Sequence, residues 1–111
     1  MAFQVYYQFQ PEYDNRQFPP VDTTTFQQSL QAYQTLMEHG RIVINSLLSS
    51  QDKMFQLMDA AQKSDDEAVD QILRETGVPT MVETNYTPTG VTFILRAEQC
   101  CTLTMYLRWG F

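Results

Sequence analysis

The chain has 111 residues, with seven Lys plus Arg against thirteen Asp plus Glu and a formal net charge of −6. That is one domain's worth of globular chain, 43% hydrophobic and 18% charged, which needs no metal or disulfide staple to bury a core. The acidic balance excludes nucleic acid and an anionic membrane surface as partners, and no apolar run reaches the ~20 residues of a spanning helix.

Met1 to Gln10 alternates with period two, Phe3, Val5, Tyr7 and Phe9 on one side and Gln4, Tyr6, Gln8 and Gln10 on the other. This predicts a β-strand arm. Pro11 to Pro20 cannot continue it, because Pro19 and Pro20 fix φ and push the preceding residue away from helix. The chain therefore divides into an aromatic arm with a proline linker over 1–20 and one α+β domain over 21–111. Nothing at the start has the basic-then-apolar pattern of a secretory signal.

Asp22 is the expected N-cap of a first helix running from about Thr23 to Leu48. Its apolar positions are Phe26, Leu30, Tyr33, Met37, Ile44 and Leu48, with Gly40 in the vacant place of the repeat. The phase survives across Gly40, which predicts one continuous helix whose glycine admits a neighbouring backbone. Ser49 and Ser50 can open a second helix with Met54, Phe55, Met58 and Ala61 on its apolar stripe. Ser64 to Glu67 has capping-box spacing before a third helix carrying Ala68, Val69, Ile72 and Leu73, and Gly77 and Pro79 end it.

The last third reads as a three-stranded antiparallel meander. Thr80 to Tyr86 is followed by a Thr87-Pro88-Thr89-Gly90 turn, then by Val91 to Ala97 with Val91, Phe93 and Leu95 on one face. Cys101 to Trp109 alternates strictly between apolar and polar residues. The three helices must cover the dry face, and the wet face stays open.

No constellation points to catalysis. His39 lacks a partner at ligand spacing and reads as an exposed polar residue. Asp59, Asp65, Asp66, Glu67 and Asp70 lack the glycine and alternation of a calcium loop, and carboxylates suit a helix N-terminus in any case. No phosphate loop or nucleophile motif is present, so the expectation is a non-enzyme with no cofactor and no metal. Cys100 and Cys101 are neighbours on a strand that point to opposite faces, so they are not expected to bond to each other. Cys101 reads as a small core residue. Cys100 is either an outward thiol able to crosslink subunits or a free thiol without a role.

The residues from Arg16 onward also resemble a family. Arg16-Gln17-Phe18-Pro19-Pro20-Val21-Asp22, Leu36-Met37, Met58 to Lys63, Tyr86 to Gly90, Cys100 to Thr104 and Leu107-Arg108-Trp109-Gly110 are similar to small, largely uncharacterised proteins of endospore-forming bacilli. Some members associate with the inner spore coat. The resemblance implies synthesis in the mother-cell cytoplasm and deposition on the spore surface or coat. It brings no catalytic residues.

Two functional readings follow. One is a structural spore subunit that assembles with itself, and with other spore proteins, into a coat, fibre or lattice. Its arm would either fold back as an edge strand of its own sheet or add to the sheet edge of a neighbour, and its cysteines would be available to crosslink. The Gln- and Thr-rich, weakly charged surface favours such contacts. The other is a monomeric or dimeric adaptor or ligand-binding module, with Met37, Met54 and Met58 lining a groove.

Overall fold

The computed structural model describes residues 20–110, so the expected arm strand with Phe3, Val5, Tyr7 and Phe9, and the linker as far as Pro19, lie outside the described residues. Three helices precede three strands: α1 (Thr24–Leu48), α2 (Gln51–Gln62), α3 (Asp66–Arg74), β1 (Val82–Tyr86), β2 (Gly90–Arg96) and β3 (Thr102–Arg108). The α+β class and the antiparallel order β1-β2-β3 agree with the expected meander.

Each helix start has a local cause. Asp22 Oδ1 accepts from Thr24 N at 3.0 Å and from Thr24 Oγ1 at 2.7 Å, which satisfies an orphan donor although Thr23 occupies the cap position itself. These two bonds hold the Asp22 carboxyl below its ordinary range. Ser50 Oγ accepts from Lys53 N at 3.1 Å and caps α2 as expected. The cap of α3 is Asp65, not Ser64: Asp65 Oδ1 accepts from Ala68 N at 3.2 Å. Ser64 belongs instead to the end of α2. It lies at φ 56°, its N–H bonds to Ala61 O at 3.0 Å, and Asp65 N bonds to Ala60 O at 2.9 Å. That is a Schellman termination with a serine where glycine is usual.

Helix α1 runs unbroken through Gly40, but it turns a different face to the core than the periodicity suggested. Leu36, Gly40 and Val43 are buried, with Tyr33 and Leu47 half-buried beside them. The predicted stripe is largely outside: Phe26 is 65% exposed, Leu30 53%, Met37 51% and Leu48 70%. The reason is Gly40. A Cβ there would lie 3.0 Å from Leu103 Cδ2 and 3.2 Å from Met105 Sδ, so β3 side chains, not a backbone, press against the glycine. The helix sits down at that point and rotates the large residues off the sheet. Helix α2 is corrected in the same way. Leu57, Ala60 and Ala61 are buried, while Met54, Phe55 and Met58 are exposed. Two alanines allow close approach where two methionines would hold the helix off.

The register places Val82, Thr84 and Tyr86 opposite Leu95, Phe93 and Val91, and these opposite Leu103, Met105 and Leu107. This is the dry face, and Phe93 and Leu95 at its centre are fully buried. On the other face a Cβ at Gly90 would lie 2.5 Å from the Tyr106 hydroxyl and 2.6 Å from Leu107 O, so only glycine admits the tyrosine ring there. Trp109 closes the sheet. Its Nε1 donates to Thr87 O at 2.9 Å, and its main-chain N–H donates to Thr89 O at 3.0 Å, fastening the β1–β2 turn to the chain after β3.

Two substitutions should act with opposite sign in urea denaturation. Ser64→Gly relieves a left-handed backbone and should stabilise by about 0.5–1 kcal/mol. Gly40→Leu forces four carbons into the α1–β3 contact and should cost about 1–3 kcal/mol.

Candidate functional site

Strand β1 is an edge of the sheet. Among the described residues nothing pairs with its outer side, so alternate main-chain N–H and C=O groups face away from β2. Helix α3 packs beside that edge, with Val69 and Leu73 in the same core as Val82. Between them runs a groove of about 930 Å³. Val69 and Leu73 of α3 and Val82 of β1 are buried beneath it, and its accessible apolar surface comes from half-buried Val78 and Ile94 and exposed Met81. Asp66, Asp70 and Arg74 line it from the helix side, and Glu83 and Arg96 from the sheet side.

Two contacts shape the rim. Arg96 pairs with Glu83 across the β1–β2 ladder. The Tyr86 hydroxyl donates to the Asp66 carboxylate and joins the last residue of β1 to the first of α3. The bond to Asp66 favours the protonated phenol, and burial and the charges of Asp66, Asp65 and Asp70 add to it, so the Tyr86 pKa lies above its ordinary 10.0. Sequence reading treated Asp66 only as a helix-start acid and Tyr86 only as a strand residue. The pair is separated by 20 positions, and no local signal joins them.

The cysteines lie at the other end of the sheet, in the bend between β2 and β3. The expectation that they do not bond to each other is corrected: Cys100 and Cys101 form a disulfide, and among the described residues no cysteine is free. Alternation applies only within a strand, and β3 begins at Thr102. Both sulfurs therefore fall in the bend, where the pointing rule does not hold. Cys101 does pack against the core, with its Sγ 3.6 Å from Ser29 O of α1, while Cys100 is exposed. Cys100 also lines a smaller cavity of about 310 Å³ between the first turns of α1 and this bend.

His39 is half-buried, not exposed, and its Nδ1 has no hydrogen-bond partner. No group of three or more His, Cys, Asp or Glu converges within metal-binding range among the described residues. Asp59 instead pairs with Lys63 at 3.0 Å along α2. No helix among the described residues is long and apolar enough to cross a membrane.

Asp66→Asn should lower the Tyr86 pKa toward its ordinary value, and Tyr86→Phe should remove the late phenol from an ultraviolet difference titration. The folded-state pKa is the raised one. The bond's contribution to stability is therefore complete below pH 10 and is lost as pH rises through the raised value. A titration unchanged in Asp66→Asn would show that the bond does not hold the proton.

A family model described as YuzC spore coat inner layer protein matches residues 23–105, which is most of the chain. No curated protein and no solved structure matches it.

Proposed function

The chain belongs to the YuzC spore coat inner layer protein family, and from that membership we propose that it is a non-enzymatic subunit of the spore coat that assembles by strand addition. The family supports a structural role in the coat and association with other spore proteins. The finer reading concerns how the subunit joins its neighbours. In it, the Phe3–Phe9 segment of one copy lies along β1 of the next, in the groove beside α3.

The groove is the observation that supports this reading. It offers unpaired main-chain groups along five residues of strand, flanked by the accessible apolar side chains of Val78, Met81 and Ile94. An added strand takes its affinity from the main chain and its register from alternate side chains. The segment with Phe3, Val5, Tyr7 and Phe9 has that alternation and carries no charged side chain. Ten residues, Gln10 to Pro19, separate this segment from Pro20, and at ~3.3 Å per extended residue they span about 33 Å, enough to reach an adjacent subunit. Cys100 has a secondary place in the scheme. Both cysteines of this chain are in the disulfide, so the attacking thiolate comes from a cysteine of a different coat protein: it forms a mixed disulfide with one sulfur of the pair and releases the other cysteine as a thiolate.

Deleting Met1 to Gln10 should leave the helix and sheet signals of the far-ultraviolet spectrum in place and abolish ordered assemblies in negative-stain electron microscopy. Assemblies of unchanged size after the deletion would sink the arm reading. A full-length chain that stays monomeric with a protected N-terminal strand would shift weight to the adaptor reading. If the cysteines crosslink, reductant should dissolve part of the assembly, and Cys100→Ser should do the same without it.

A further inference from the structure

Helix α1 carries an apolar stripe that nothing covers among the described residues. Phe26, Leu30, Met37 and Leu48 are exposed, and half-buried Ile44 lies in line with them. At ~100° per residue all five fall within an arc of about 40°, beside the core-facing row of Leu36, Gly40 and Val43. The stripe is ~33 Å long at 1.5 Å per residue. An apolar line of this kind on a surface helix marks a contact surface.

Its spacing identifies the occupant. Met37 is the midpoint: Leu30 and Ile44 stand seven residues on either side, and Phe26 and Leu48 eleven. The row is symmetric about Met37. A second α1 laid antiparallel across a two-fold axis at Met37 therefore meets apolar with apolar throughout. Phe26 faces Leu48 of the partner, Leu30 faces Ile44, and Met37 faces itself. We propose that this stripe is the two-fold seam of a homodimer.

Charge supports the same occupant. From Thr24 to Leu48 the only acidic or basic side chains besides His39 are Glu38 and Arg41, which pair with each other at 3.4 Å. A chain with net charge −6 thus presents a neutral face to its copy. The antiparallel arrangement places Arg41 opposite Tyr33, where a guanidinium meets an aromatic ring. A parallel pairing would set Arg41 against Arg41 and Glu38 against Glu38. With its polar flanks the stripe covers roughly 600 Å² per copy, at the lower edge of specific interfaces, which suits a dimer formed at the high local concentration of a coat. This seam uses a surface separate from the β1 groove and does not rest on the arm.

Disulfide trapping in the full-length chain, with Cys100 and Cys101 replaced by Ser, tests the seam whatever larger assemblies form. Met37→Cys should give a dimer on a denaturing gel. Leu48→Cys alone should not, but it should crosslink when mixed with Phe26→Cys. Met37→Arg places two like charges on the axis at an exposed position, so the fold should persist while dimerisation in sedimentation equilibrium weakens at least ~100-fold. The proposal is overturned if Met37→Cys fails to crosslink, if Leu48→Cys crosslinks alone as well as Met37→Cys does, or if Met37→Arg sediments like the unaltered chain. Each of these results leaves the arm reading intact, because that reading is tested by deletion of the first ten residues.

Discussion

The contact between Gly40 and β3 sets the rest of the fold. One position without a side chain lets Leu103 and Met105 press against the backbone of α1. That close approach turns Leu36, Val43 and Leu47 toward the sheet and sets the rotation of the helix about its axis. The turn at Ser49 and Ser50 then starts α2 beside it, and the small residues Ala60 and Ala61 keep α2 close to its neighbours. A larger residue at position 40 would lift the helix from β3 and change which face of it meets water.

The same constraint leaves apolar surface uncovered. Among the described residues twelve buried hydrophobic side chains make one core, yet large side chains on α1 and α2 remain outside it. On α1 they lie mostly among Gln, Thr and Ser, with Glu38 and Arg41 paired, so that surface offers little repulsion to another copy, whereas on α2 they alternate with Asp52, Lys53 and Asp59. Such a surface is costly for a protein that works alone. It is suited to a coat protein, whose exposed faces are covered once the layer forms. The β1 edge has the same character, since a free strand edge is a hazard to a solitary domain and a joint for an assembling one.

Much of the fold was legible from local pattern. Strand alternation marked the dry face of β2 and β3, and the turn residues marked the reversals between strands. Continuity of α1 followed from a phase that passes through Gly40 unbroken. The core-facing stripes of α1 and α2 were legible only in part: Tyr33, Gly40 and Ala61 of the expected stripes face the core, but Leu36, Val43, Leu57 and Ala60 lay outside them. Periodicity identifies an apolar stripe on a helix, but it favours large residues, and here the seated row is built on Gly40, Ala60 and Ala61. The large row on α1 is equally periodic although it lies outside the core. The disulfide was missed because a rule for strands was applied to a bend.

The amino-acid sequence by itself determined the α+β class, the helix and strand order, the polar outer face of the sheet and the absence of a familiar catalytic motif. These depend on spacing, capping and turn chemistry, which act over a few residues. Tertiary structure decided which row of α1 is buried, that Tyr86 meets Asp66, and that a groove runs along the outer side of β1 beside α3. Those outcomes depend on how closely two elements approach. Closeness is set by the smallest side chains at the contact, and no periodicity in the sequence weighs them.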